Sequence, residues 1–157
     1  MQEEGKYNIL YVDDEEDNLL VFRSAFRRLF NIYTATSGDE GIEILKTTPI
    51  GVIITDQRMP GMTGVQFVKT IPDEPENIKM ILTGFSDVSA IIEAINTGKV
   101  YRYVAKPWNR DELKEIIDQA VKALEIRMES RKTIEILSKR CSDLEIQVEE
   151  LTAKLNA

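Results

Sequence analysis

The sequence predicts an α/β fold, a doubly wound parallel sheet of five strands. Two observations lead there. Short β-branched, apolar runs alternate five times with segments whose apolar residues recur at helical spacing. One run, residues 51–55 (GVIIT), is continuous rather than alternating, as a central parallel strand buried on both faces requires.

Taken in order, residues 8–13 (NILYVD) read as the first strand, and acids follow it at once. Leu19, Phe22, Phe26, Leu29 and Phe30 then mark the buried face of a helix. A second strand is expected near 32–36. Ser37 and Glu40 form a capping box that opens a helix carrying Ile42, Ile44 and Leu45. The run 51–55 ends at Asp56, and a loop with Pro60, Gly61 and Gly64 as breakers follows. A short helix around 65–71 and a linker at 72–77 precede a strand at 79–83. Ser86 caps the next helix, with Val88, Ile91, Ile92 and Ile95 as one apolar stripe, and Gly98 ends it. Residues 100–105 make the fifth strand. Asn109 and Glu112 form a second capping box, and no Gly or Pro occurs after Pro107. Leu113, Ile116, Ile117, Ala120 and Leu124 are placed to dock on the sheet.

Beyond that the pattern changes. Ile134, Leu137, Cys141, Leu144, Val148, Leu151 and Leu155 alternate steps of three and four, the a/d seam of a coiled coil. A helix from 109 to 155 would run about 70 Å, so the tail must project from the domain. The expected division is a folded domain at 1–125 and a coiled-coil extension at 126–157. The a positions are Ile134, Cys141, Val148 and Leu155, with β-branched Ile134 and Val148 among them. Leu at 137, 144 and 151, with Arg140 facing Glu145 of a partner, favours a parallel homodimer.

Composition narrows the function. A net charge of −7 without a long basic run argues against direct nucleic-acid binding. The single Cys141 fits a reducing compartment, and no apolar stretch approaches a membrane span, so a cytoplasmic location with no membrane contact is expected. The chain contains no histidine, which excludes a phosphohistidine donor and a hydrolase with a His base.

Asp13, Asp14, Asp56, Thr83 and Lys106 each follow an apolar run, at the sheet edge where open α/β folds bind ligands. An acid there also reads as a helix cap, Thr83 as an ordinary strand residue and Lys106 as a surface cation. Clustered carboxylates need a hard cation to coexist, and oxygen-only ligation suits Mg²⁺ (or Mn²⁺). A carboxylate beside such a cation and a Lys is a nucleophile toward a phosphoryl group. A haloacid-dehalogenase-type phosphatase needs an acid where Arg58 stands, and a flavodoxin-like site would not place five acids at 13–17 beside a phosphate.

The motifs YVDD (11–14), ITDQRMPGMTG (54–64), LTG (82–84) and YVAKP (103–107) resemble the response-regulator receiver domain of two-component signalling. The resemblance covers roughly residues 6–125. It implies a flavodoxin-like strand order 2-1-3-4-5, with Asp56 as the phosphoacceptor, supplied by a sensor histidine kinase. It implies Asp13, Asp14, Asp56 and the Arg58 backbone carbonyl as metal ligands, and Thr83 and Lys106 as phosphoryl-oxygen ligands. Thr83 and Tyr103 correspond to the switch pair, although Tyr103 also reads as an outer-face aromatic. Arg58 and Phe85 correspond to the positions that tune phosphoryl lifetime. Such a domain assists its own phosphorylation and dephosphorylation rather than acting as a conventional enzyme. Gln57-Arg58 and YRYVAKPW (101–108) resemble receivers that precede HD-GYP or other signalling output domains. The readings left open are a C-terminal output domain and contacts made by this chain alone.

Overall fold

A computed structural model describes residues 6–72, 77–84 and 88–157. Its elements are β1 (Asn8–Val12), α1 (Glu16–Phe26), β2 (Asn31–Ala35), α2 (Gly38–Thr47), β3 (Val52–Asp56), α3 (Gly64–Thr70), β4 (Ile78–Thr83), α4 (Val88–Asn96), β5 (Arg102–Ala105) and α5 (Arg110–Leu155). All strand pairs are parallel and the order is β2-β1-β3-β4-β5, as expected.

The three central strands are buried on both faces, and side-chain alternation divides the sheet's residues between two cores. Ile9, Tyr11, Val52, Ile54, Met80 and Leu82 face α1 and α5, where Phe22, Phe26, Leu113 and Ile117 meet them. Leu10, Val12, Ile53 and Ile81 face the other way, onto Phe67, Val68, Ile91 and Ala94 of α3 and α4. Helices on both faces make the fold doubly wound.

Local chemistry sets the helix starts. Ser37 accepts the Glu40 amide at 3.2 Å. The Glu40 carboxylate reaches past Ser37 to the amide and hydroxyl of Thr36, at 2.8 and 2.7 Å, so the expected box closes one residue early. Thr63 and Gln66 form a full capping box on α3. Asn109 accepts from the amides of Asp111 and Glu112 and starts α5. Gly98, at φ +77°, follows α4 in a left-handed turn that favours glycine.

Two expected core residues differ. Leu29 lies past the end of α1, exposed, while Phe30 takes the inward position. On α4 the inward pair is Ile91 and Ala94, which leaves Ile92 on the outside. Ser86 and most of the 72–77 linker lie outside the described residues. The fifth strand also begins two residues later than expected, at Arg102.

α5 is one helix of 46 residues. Leu113, Ile117, Ala120 and Leu124 bury against the sheet, whereas every residue from Glu125 to the end is exposed. At its root, the Tyr7 hydroxyl bonds Glu125, and Arg127 donates to the Asn77 carbonyl at 3.4 Å.

Candidate functional site

Parallel pairing brings the carboxyl ends of β1, β3, β4 and β5 side by side. Asp13 follows β1 directly, Asp56 is the last residue of β3, Thr83 closes β4, and Lys106 comes one residue after β5. The register aligns Asp56 with Leu82 and Thr83 with Ala105, which stacks the four positions along one edge. Carboxylate oxygens of Asp13, Asp14 and Asp56 lie within 4.8 Å of one another. Lys106 Nζ is 2.8 Å from Asp56 Oδ1 and 3.5 Å from Asp13 Oδ2. The Lys106–Pro107 peptide is cis.

The two neighbouring acids are held differently. Asp13 is fully buried, and its Oδ2 accepts from the Tyr11 hydroxyl at 2.6 Å and from Asn18 Nδ2 at 3.1 Å. Its Oδ1 accepts the Glu15 amide at 3.0 Å, an Asx turn that leads into α1. Asp14 is exposed. Thr83 is buried at the strand end.

Burial pushes the Asp56 carboxyl above its ordinary range, and the charge of Asp13 adds to this; Lys106 and the Gln57 amide pull the other way without cancelling it. For Lys106 burial works against the ammonium, but the hydrogen bond and charge of Asp56, with Asp13, outweigh it and hold the group above its usual value. An isolated ion pair would lower the acid while raising the base. Here the attraction registers on Lys106 and the burial on Asp56. Tyr11 is pushed far up, first by burial and then by its bond to Asp13.

The remaining expected residues sit farther out. Arg58 is exposed in the loop after β3. Tyr103 lies on β5 on the opposite face from the buried Val104, about one-third exposed and so turned outward. Phe85 lies outside the described residues. The seam residues Ile134, Leu137, Cys141, Leu144, Val148, Leu151 and Leu155 are all exposed on the projecting part of α5, away from the acids.

Sequence reasoning assigned no role to Tyr11, Asn18, Gln57 or Trp108, and took Gly64 only as a breaker. Tyr11 carried a signal: a phenol in a buried strand needs a hydroxyl partner, and alternation puts Asp13 on its side. Gly64 sits where a Cβ would lie 2.4 Å from the Asp56 carbonyl oxygen, so only glycine lets α3 approach the strand this closely. Trp108 packs edge-on to Phe22 and tilted on Phe26, and with Tyr11, Asn18, Val21, Lys106 and Pro107 it lines a cavity of about 430 Å³ beside the site. A larger cleft of about 630 Å³ opens at the opposite, amino edge of the sheet. No carboxylate among the described residues lines it, and of the two only the smaller cavity is lined by Lys106.

The profile of the response regulator receiver domain matches residues 9–118. The chain belongs to this family. Among curated relatives, the hydrogenase transcriptional regulatory protein HoxA of Cupriavidus necator is 38% identical over 116 residues, covering 73% of this chain and 24% of that protein. The chain thus spans about a quarter of that relative's length. Among solved structures, the receiver is similar to adenylate cyclase from Rhodopirellula baltica, 30% identical with a TM-score of 0.78, covering 83% of this chain and 98% of that one. It is also similar to the signal receiver domain of an HD domain-containing protein from Pseudomonas fluorescens Pf-5, 27% identical with a TM-score of 0.71, covering 76% and 98%. No helix among the described residues is long and apolar enough to cross a membrane.

Proposed function

We propose that this receiver accepts a phosphoryl group on Asp56 from a sensor histidine kinase and passes the signal to a dimeric tail. The observation that carries this reading is Lys106 Nζ, within 4 Å of both Asp56 and Asp13 at a site whose acids share one small space. The donor set is all oxygen, which fits Mg²⁺ or Mn²⁺ held by Asp13, Asp14, Asp56 and the Arg58 carbonyl. A divalent ion there would neutralise charge on the non-bridging phosphoryl oxygens.

The protein's own groups do the rest. An Asp56 carboxylate oxygen attacks phosphorus, the P–N bond to the donor imidazole breaks, and an acyl phosphate forms. Lys106 stands ready to follow the developing charge from the carboxylate to the phosphoryl oxygens. The Thr83 hydroxyl takes another of those oxygens. The shift of Thr83 frees space for Tyr103 to turn inward, which remodels the face of α4, β5 and α5. Arg58 and Phe85 tune the lifetime of the acyl phosphate.

Residues 1–125 form the receiver and 126–157 the extension, a parallel two-stranded coiled coil through the a/d seam. With a net charge of −7 the segment makes no nucleic-acid contact itself and works in the cytoplasm on any output domain joined to it. To test the reaction, the chain is incubated with acetyl phosphate and Mg²⁺ and its intact mass followed. One phosphoryl addition is expected, absent in Asp56→Asn and with EDTA. Equal labelling in all three samples overturns the reading.

A further inference from the structure

Gln57 is almost fully buried directly after Asp56, an unusual place for an uncharged polar side chain. Its bonds account for it. The Gln57 amide donates to the Leu82 carbonyl at 3.1 Å, and its carbonyl accepts the Gly64 amide at 3.0 Å. The side-chain Oε1 accepts the Val65 amide, also at 3.0 Å. The first amides of a helix have no partner within it. On α3, Gln57 therefore supplies the acceptors for Gly64 and Val65, while Thr63 supplies the one for Gln66 at 3.2 Å.

These bonds fix both peptide groups of residue 57, one against β4 and the other against α3. The absent Cβ of Gly64 is what permits the second contact. With the 57–58 peptide pinned, the direction of the Arg58 carbonyl depends only on the torsions of Arg58 itself. We infer that Gln57 is a positioning residue for the divalent-cation site: its side chain latches the loop to α3 so that the Arg58 carbonyl is presented beside Asp56. This rests on the proposed metal-dependent function and adds to it the residue that preorganises the backbone ligand. A partner of this sort changes metal affinity by about 10–100-fold when removed.

The test compares Gln57→Leu with Thr63→Ala in the full chain. Each removes one acceptor from the same end of α3, so a purely structural role gives both the same consequences. Titration calorimetry with MgCl₂ is expected to show about tenfold or greater weakening for Gln57→Leu, and less than about threefold for Thr63→Ala, at similar melting temperatures in EDTA. Equal Mg²⁺ affinities in the two variants overturn the inference. Hydrogen exchange on the wild type gives a second readout that does not depend on either variant folding. If latch and cation are coupled, coupling is reciprocal, so Mg²⁺ slows exchange of the Val65 amide more than that of Gln66. Equal slowing overturns the inference as well. Failure of the wild type to bind Mg²⁺ at all overturns the functional reading beneath it, which separates the two failures.

Discussion

The receiver and the projecting part of α5 solve opposite problems with similar residues. In the receiver, Phe22, Ile54, Met80 and Leu82 are completely buried, each supported from a neighbouring strand or helix. Past Leu124 the helix keeps apolar residues at regular spacing, yet Val148, Leu151 and Leu155 are 61, 60 and 85% exposed. An isolated helix gains little in water, and most helical stability comes from packing an apolar face. The receiver carries its own core, and the proposed dimer is what would give the tail one. The stretch from Arg127 to Thr133 separates the two, with Arg127 tied back to Asn77, the residue before β4.

The strongest way to break this contrast is Leu144→Asp. A buried seam Leu is worth about 2–5 kcal/mol against Ala, and a dimer loses two of them and gains two facing charges. Sedimentation should show a dimer become a monomer, with loss of tail helicity but no change in receiver melting. A wild type that is already monomeric at tens of micromolar would remove the difference altogether. Next in size is Phe22→Ala, expected to lower receiver stability by about 3–5 kcal/mol in a denaturant titration. If the regions are energetically separate, the dimer persists while the receiver loosens. Simultaneous loss of both would join them into one unit.

Within the receiver the same contrast recurs on a smaller scale between Asp13 and Asp14. Asp13→Asn puts an amide opposite the Tyr11 hydroxyl and Asn18, and removing a buried acceptor costs about 1–3 kcal/mol. Asp14→Asn only relieves repulsion at an exposed position. Thermal melts in EDTA should therefore fall for the first and rise slightly for the second, and Mg²⁺ should raise the wild type more than either. Melts that move together would make the two acids equivalent.

The smallest effect expected is that of Glu40, whose carboxyl is held below its ordinary range by the Thr36 amide and hydroxyl. A depressed folded value means the contribution is present above the unfolded pKa and lost as pH falls through the folded one. The melting difference between wild type and Glu40→Gln should be largest near neutral pH and disappear in acid. A difference that is constant with pH would assign the effect to shape rather than charge.

The fold was legible because both signals that specify it are local. Five apolar runs gave the strands, and the capping residues Ser37 and Asn109 marked their helices. Leu29 and Ile92 were misplaced because periodicity identifies a face without saying where a helix ends or how wide its buried stripe is. At the site, the acids and Lys106 could be read because each follows a strand. Gln57 and Gly64 could not, since their roles depend on contacts with α3 that form only when the loop closes. The tail is the reverse case: the seam proposed for it reads directly from the sequence, and none of the described residues of this chain covers it.

The central claim is that the carboxyl edge of the sheet accepts a phosphoryl group at one carboxylate, Asp56. The most direct measurement is chemical trapping of the labelled residue. The chain is treated with acetyl phosphate and Mg²⁺, reduced with borohydride, which converts an aspartyl phosphate to homoserine, and sequenced by tandem mass spectrometry. Homoserine at position 56 and at neither 13 nor 14 is the predicted result. Homoserine at Asp13 or Asp14, or the same low yield with and without Mg²⁺, would contradict the account.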